Sequence, residues 1–439
     1  MDKYSLSIYA SLFTRGGKYL LHNSRNNGFY NLNESLYDFL SRSEISTNLD
    51  NEVIQTLIND KVLVKPGEDD DFFNQAKGRF LMYSMNTSHL GLTIAPTIQC
   101  NLRCPYCFEE NKPKGIMTDE TADKVLTFIK DHKCALTYSI CWFGGEPLLA
   151  PNIIRRILDG LSEMEEPKMT SHSIVTNATL INDSVIELFK AYPLGDIQIT
   201  LDGNKSHHDK KRFYASGKGT FNHIFENFDR AVEAWPNTAF VFRINIDKSN
   251  FNDYFEVSDY IRERYPDKRN IRIYPGILRA NKGCESEVFF SSKDHVEFDR
   301  LLRKHSPDKC KYPYMCAKGC TATNASSYVI GPNGEIYLCW EHIGNESKII
   351  GNIENKKIEN TSMFYRFLNQ GHMFDDAECR KCGLMPLCTG GCPNKRIENT
   401  FGDGHYNLCA LYKEQNKEVL YDILFEYYLS KNEPQSCAN

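Results

Sequence analysis

From residue 92 onward the sequence alternates strand-like and helix-like segments, and this alternation restricts the chain to architectures with parallel strands. "LTIAPT" (92–97) precedes "TDETADKVLTFIKDH" (118–132), in which Thr118 is placed to cap a helix and Val125, Phe128 and Ile129 share one helical face. The unit repeats: "TYSICWF" before "NIIRRILDGL", "HSIVTN" before "DSVIELFKAY", "DIQITLDG" before "FNHIFENFDRAVEA", "FVFRINID" before "YFEVSDYIRERY", and "NIRIYPGI" as a sixth strand. Such repeats give parallel strands joined by right-handed crossovers, and six of them suit an open or partial (β/α)6 barrel of the α/β class. Chemistry then collects at the C-terminal ends of the strands. "CNLRCPYC" (100–107), "GGEP" (144–147), "TN" (176–177), "TLDG" (200–203), and Arg243 with Asn245 all fall there.

The preceding segment has a different rhythm. "YLLHNSRNNGFYNLN" (19–33) predicts a hairpin around Asn26, Asn27 and Gly28; "ESLYDFLSR" and "NEVIQTLINDK" predict two helices, and "VLV" (62–64) a short strand. Residues 1–88 therefore make a small winged-helix-like module. The acidic "GEDDD" (67–71) reads as a solvated linker. The expected division is 1–88, a barrel over 89–278, a bridging segment over 279–309 and a cysteine-rich domain over 310–439.

With 439 residues, 41% of them hydrophobic and 25% charged, and a net charge of −5, the chain has the composition of an ordinary globular protein of two or three domains. Nothing in the charge points to nucleic acid. No apolar run approaches the roughly 20 residues that span a bilayer, and "MDKYSLSIYASLF" lacks the features of a secretory signal, so a cytoplasmic protein without a membrane partner is expected. Sixteen cysteines is a high number for such a compartment, where stable disulfides are rare, and metal is the economical explanation. None precedes Cys100, five fall between 100 and 141, and nine lie between 310 and 409. Two metal-rich regions thus flank a cysteine-poor middle.

Cys100, Cys104 and Cys107 are spaced C-x3-C-x2-C. Zinc or simple packing would explain three thiols, but zinc sites favour paired C-x2-C knuckles. A four-iron four-sulfur cluster usually takes four thiolates, so three ligands leave one iron open to a substrate or cofactor, as a catalytic zinc keeps one position free.

C-N-L-R-C-P-Y-C after the first barrel strand, with G-G-E-P after the second, resembles the radical S-adenosylmethionine (SAM) superfamily, whose signature is C-x3-C-x-aromatic-C. The resemblance implies that Cys100, Cys104 and Cys107 bind a cluster whose open iron is chelated by SAM, and that reductive cleavage yields a 5'-deoxyadenosyl radical. It places Tyr106 near the adenine and Gly144, Gly145 and Glu146 near the SAM amino group. The glycines would allow close backbone approach to the ligand, and Glu146 would accept from the ammonium. Thr200 is implied at the ribose hydroxyls and Arg243 at the SAM carboxylate.

A second pattern lies downstream. Cys320 is followed by thirteen residues, Gly334, four residues and Cys339; Cys379, Cys382, Cys388 and Cys392 form C-x2-C-x5-C-x3-C, and Cys409 follows. This resembles the seven-cysteine SPASM extension, which usually carries two auxiliary four-iron four-sulfur clusters, making three clusters in all. By position, Cys379, Cys382, Cys388 and Cys409 would hold one, and Cys320, Cys339 and Cys392 the other, with Cys316 favoured over Cys310 as fourth ligand. Cys134, Cys141, Cys284 and Cys437 fit no ligand pattern.

SPASM enzymes mostly modify peptides. Sulfatase maturases carry an Asp base directly after the G-x4-C cysteine, whereas here Cys339 is followed by Trp340 and Glu341, and Glu341 becomes the candidate base. The N-terminal module resembles the PqqD-like element that holds a precursor's leader by strand addition. The resemblance implies a peptide maturase that abstracts hydrogen from a ribosomally made precursor, forms a thioether or carbon–carbon crosslink and passes the leftover electron to the auxiliary clusters. An electron donor such as flavodoxin or ferredoxin is a further implied partner. The alternatives are an anaerobic formylglycine-generating sulfatase maturase and a SPASM enzyme acting on a small molecule.

Overall fold

A computed structural model of the chain describes residues 3–42, 45–46, 51–107, 115–278, 289–306, 319–355, 357–409 and 417–432. They form two compact units: one of residues 85–291 with 321–368, the other of residues 1–84, 292–320 and 369–439.

The first unit contains the six expected strands, β1 (His89–Thr97), β2 (Thr137–Gly144), β3 (Lys168–Thr176), β4 (Asp196–Leu201), β5 (Ala239–Ile246) and β6 (Ile271–Ile277). They pair in sequence order, every neighbour parallel. The helices between them are α1 (Asp119–Asp131), α2 (Pro151–Ser162), α3 (Asp183–Ala191), α4 (Lys205–Lys211), α5 (Phe221–Ala234) and α6 (Asp253–Arg264). Thr118 caps α1 by accepting from the Thr121 amide at 3.1 Å, as its sequence position predicts.

Strand residues alternate in burial. Ile140, Trp142, Ile174, Ile197, Ile199, Leu201, Phe240, Phe242 and Ile244 are buried, as are Val125, Ile129, Ile154, Ile157, Phe189, Ile224 and Phe228 from the helices. Phe228 meets Phe240 and Phe242 edge-on at 5.0 and 4.8 Å, and each such ring contributes about 1.5–3 kcal/mol by burial. Thr93, Ser139, Cys141, Ser173 and Ser327 line a cavity of about 180 Å³.

The sheet does not close on itself. The free edge of β1 takes β7 (Ser327–Ile330) in parallel, and β8 (Glu335–Tyr337), β9 (Gly351–Asn352) and β10 (Lys357–Ile358) continue antiparallel. The G-x4-C spacing now has a physical meaning. Gly334, at φ +80°, completes the β7–β8 turn, the three residues after it form β8, and Leu338 and Cys339 leave the strand. The first part of the cysteine-rich segment thus extends the barrel sheet, a pairing between distant residues that no local pattern announces.

In the second unit, strands Ala10–Arg15, Lys18–Asn23 and Gly28–Leu32 form an antiparallel sheet, with the expected hairpin turn at Asn27 (φ +60°). Asn33 and Asn51 cap the helices Glu34–Leu40 and Glu52–Asn59. "GEDDD" is not a linker. Glu68 to Asp71 form the first turn of a helix, Glu68–Ser84, where acidic side chains are favoured by the exposed amides. Asp69 accepts from Ser7 Oγ at 2.7 Å and from the Ile8 amide at 2.9 Å, so contacts from the chain's first residues turn a solvated pattern into a docked one. Helix Lys417–Asn432 lies on the hairpin sheet, with Tyr421 stacked on Phe13 at 4.4 Å.

Candidate functional site

The loop after β1 is fastened to the ends of β2 and β3. The Gly145 amide donates to Thr97 O at 3.2 Å and the Glu146 amide to Gln99 O at 2.8 Å. A Cβ on Gly145 would fall inside the contact distance of the Ile98 and Gln99 carbonyl oxygens, and one on Gly144 (φ +115°) inside that of Thr97 O. The two glycines thus allow close approach of the cysteine loop's own backbone.

Glu146 is fully buried. Its carboxylate accepts from Thr176 Oγ1 and the Asn177 amide, both at 2.7 Å, and from the Leu148 amide at 3.0 Å. A carboxylate has about four acceptor positions, so one remains for an ammonium. Burial pushes its pKa up, against these hydrogen bonds. Asn177, so held, directs Nδ2 at Cys100 Sγ (3.9 Å) and Asn101 Oδ1 (2.9 Å). A chain of contacts therefore runs from the β2 turn through β3 to the first cysteine.

Cys100, Cys104 and Cys107 are half-buried, and none of them is in a disulfide. Burial pushes Cys100 up to about 12, with the Glu146 charge adding, and Cys104 up to about 11 against the pull of Arg212. Thiols so placed ionise readily only beside a cationic metal core, and metal ligation releases their protons. Among the described residues no three His, Cys, Asp or Glu side chains converge on a single ion. Three thiols spread along one loop suit a multi-iron cluster, in which each cysteine binds its own iron.

Beyond Cys104 lies a polar cluster that the motifs did not disclose. Arg212 Nη1 donates to Tyr106 Oη at 3.2 Å and lies 3.8 Å from Asp202 Oδ1, which also accepts from Asn245 Nδ2 at 3.2 Å. Tyr106 as a whole keeps partial exposure, and desolvation pushes the pKa of its hydroxyl up. Burial pushes the Asp202 carboxyl up, with Arg212 opposing. Asp202 Oδ2 and Arg212 Nε are buried and have no partner among the described residues. An unpaired acceptor and an unpaired donor beside the cysteine loop fit a polar group bound there. Asp202 stands within the noted "TLDG", but Arg212 carried no signal, because only the short helix α4 returns it to the strand ends.

His208 in α4 holds this arrangement. Its Nδ1 accepts from the Asp202 amide at 3.2 Å, and Nε2 faces Thr220 Oγ1 at 2.9 Å. His172 is placed alike, accepting from Trp142 Nε1 at 3.1 Å, with Nε2 3.1 Å from Tyr192 O. Burial lowers both pKa values, to about 3 for His208 and about 4 for His172. Both rings are neutral in the folded protein, whereas in the unfolded chain they gain protons below about 6.5. Stability is therefore lost as the pH falls below that value, by roughly 2 kcal/mol for each histidine between pH 7 and 5. Urea midpoints at the two pH values check this, and His172→Gln should flatten the dependence.

Thr200 and Arg243 sit opposite each other in the β4–β5 register. Arg243 Nε donates to Asn245 Oδ1 at 3.0 Å, and among the described residues its terminal nitrogens meet no acceptor. Glu341 is exposed, in a turn after Cys339 whose Trp340 stacks on Phe143 at 5.1 Å. The stack brings this turn to the end of β2.

In the other unit, Cys379, Cys382, Cys388, Cys392 and Cys409 are gathered with Cys320, while Cys339 belongs to the barrel unit. Cys310 and Cys316, like Cys284 and Cys437, lie outside the described residues. Asp376 caps the turn carrying Cys379, the Cys382 amide donates to Cys379 O at 3.2 Å, and Cys388 Sγ accepts from the Gly390 amide at 3.3 Å. Gly390 and Gly391, at φ +80° and +79°, turn the chain between Cys388 and Cys392. A Cβ on Gly391 would strike Leu408, so the Cys392 and Cys409 segments touch. The module of residues 1–84 forms a wall of this region. Tyr9, Phe72 and Phe73 pack with Met385, Cys379 and Cys388, and Phe13 and Leu20 with Leu384 and Cys382.

This open parallel sheet with a cysteine loop after its first strand is a radical SAM fold, and residues 94–261 match the radical SAM superfamily. Residues 94–261 are a radical SAM domain, and the chain is homologous to anaerobic sulfatase-maturating enzymes. The cysteine-type anaerobic sulfatase-maturating enzyme of Clostridium novyi (strain NT) is 26% identical over 349 residues, covering 71% of this chain and 89% of that protein. The radical SAM cyclopropyl synthase TigE of Paramaledivibacter caminithermalis is 23% identical over 483 residues, covering 95% and 98%. The crystal structure of Streptococcus suis SuiB bound to precursor peptide SuiA superposes with a TM-score of 0.54 at 17% identity, covering 94% of this chain and all of that one. The protein is thus a radical SAM enzyme related to sulfatase maturases, and its fold is like that of SuiB. The cofactors of the family are SAM and a four-iron four-sulfur cluster. Among the described residues no helix is long and apolar enough to cross a membrane.

Proposed function

We propose that this protein is a maturase of ribosomally made peptides that forms a thioether or carbon–carbon crosslink. The observation that carries this reading is coverage. The likeness to TigE and to the peptide-bound SuiB fold runs over 95% and 94% of the chain, N-terminal module included, whereas the match to the Clostridium novyi sulfatase maturase spans 71%. Trp340, standing where sulfatase maturases carry an Asp, points the same way.

Residues 1–88 hold the leader of the precursor by strand addition. Cys100, Cys104 and Cys107 ligate the SAM-binding cluster, which with SAM supplies a 5'-deoxyadenosyl radical. Arg243 presents its open nitrogens to the SAM carboxylate, Thr200 its hydroxyl to the ribose, Tyr106 its ring to the adenine, and Glu146 its remaining acceptor position to the amino group. Two auxiliary clusters sit on Cys379, Cys382, Cys388 and Cys409, and on Cys320, Cys339, Cys392 and Cys316. Glu341 takes the proton released when the crosslink closes. Flavodoxin or ferredoxin supplies electrons.

The test is anaerobic incubation of the iron-loaded enzyme with SAM and the short peptide encoded beside it. The expected product has lost two hydrogens, with 5'-deoxyadenosine formed in step. Formylglycine on a cysteine-containing sulfatase peptide, with the neighbouring peptide untouched, would establish the sulfatase reading instead. 5'-Deoxyadenosine formed with a small molecule but with neither peptide would favour the third.

A further inference from the structure

Two buried hydrogen-bond donors beside the second cysteine region have no acceptor. Arg396 is 6% exposed. Its Nη1 donates to Asp376 Oδ2 at 2.7 Å and its Nη2 to Gly390 O at 2.8 Å, with Cys379 Sγ 4.0 Å from Nη2. Its Nε has no partner among the described residues. One guanidinium therefore ties together the cap of the Cys379 turn, the loop after Cys388 and the helix Pro393–Phe401 that starts at Cys392. Tyr9, from the N-terminal module, is 1% exposed, packs in the same cluster as Cys379 and Cys388, and its hydroxyl is likewise without a partner among the described residues.

A buried donor left unpaired costs about 1–3 kcal/mol. Two of them around one set of thiols point to an acceptor-rich group between, and the sulfurs of an iron–sulfur cluster are such acceptors. Hydrogen bonds to the sulfurs, net charge and burial set the potential of such a cluster. Arginine keeps its charge at every working pH. A tyrosine hydroxyl is a hydrogen-bond donor as well.

We propose that Arg396 and Tyr9 are positioning residues of the auxiliary cluster held by Cys379, Cys382 and Cys388, donating hydrogen bonds to its sulfurs and raising its reduction potential. Each added electron makes the cluster more negative, and both donors stabilise that charge. Tyr9 also makes the peptide-recognition module part of the cluster's immediate surroundings. The inference rests on the assignment of these cysteines to a cluster.

The experiment uses the full chain with Cys100, Cys104 and Cys107 replaced by alanine, so that only auxiliary clusters remain. The signal of interest is the one lost on Cys379→Ala, followed by EPR during a redox titration. Tyr9→Phe keeps the ring packing and should lower the ratio of reduced to oxidised cluster at a fixed potential about tenfold, a shift of about 59 mV for one electron. Arg396→Lys, which keeps the charge but not the planar fork, should lower it at least as far. An unchanged midpoint in Tyr9→Phe at full iron content would overturn the proposal while leaving the cluster assignment intact. Absence of iron from the parent protein would overturn both. Should Arg396→Lys load iron poorly, the Tyr9→Phe midpoint decides alone.

Discussion

Replacing Cys100, Cys104 and Cys107 together by alanine should reduce 5'-deoxyadenosine formation below detection while leaving the remaining iron bound. These thiols all lie in the barrel unit, on one loop after β1, and those at 379, 382, 388, 392 and 409 lie in the other unit. Each replacement removes one small half-buried group, and the loop stays fastened by the Gly145 and Glu146 amides. The fold should therefore survive. On the proposed total of three four-iron clusters, loss of one would remove about a third of the iron. Because the cofactor carries the radical chemistry, no residue of the chain can substitute for it. Iron analysis and chromatography of the nucleoside products under anaerobic reduction check both parts. SAM cleavage at the parent rate would sink the assignment of this loop.

Gly145→Ala should be the most damaging single substitution among those that remove no ligand. The new methyl group would meet the Ile98 and Gln99 carbonyl oxygens, which are backbone and cannot swing aside. The cysteine loop must then move off the β2 turn, with strain of about 1–3 kcal/mol and loss of the 2.8 Å bond from the Glu146 amide to Gln99 O. A displacement of about 1 Å in a reacting geometry lowers rate by about 10²-fold, and a loss of at least that size is expected in 5'-deoxyadenosine formation. Gly78→Ala is the control. It lies in the helix Glu68–Ser84 with nothing within 4 Å of the added carbon, so it should be neutral or stabilising by up to about 1 kcal/mol. Full activity in Gly145→Ala would mean that the glycine pair does not set the loop's position.

The N-terminal module shares a compact unit with the cysteines that follow residue 378, and this bears on how peptide recognition is tested. Ser24 Oγ donates to Gly383 O at 2.5 Å, and a Cβ on Gly383 would strike Ile8 O. Removing the module would strip a wall from the cysteine region. Point changes on its surface are therefore the cleaner probe of leader binding.

The sequence by itself determined the six strands, their helices and the place of the cysteine loop, since these follow from local periodicity and from side chains close along the chain. Alternation of strand-like and helix-like segments made the strands legible, and Thr118 marked the start of α1. What only the tertiary structure decided depends on burial and on partners far away in sequence. That Glu146 is buried, with Thr176 and Asn177 on its carboxylate and one acceptor position left over, could be seen only in the folded chain. "GEDDD" has the composition of a linker and became a helix turn because Ser7 and Ile8 dock on Asp69. Arg212 has no motif, yet it lies against Tyr106 and Asp202 beside the cysteine loop. A carboxylate or a guanidinium has the same formula in solvent and in a protein interior; its role is set by what desolvates it and what it meets there, and neither is written in the spacing of its neighbours.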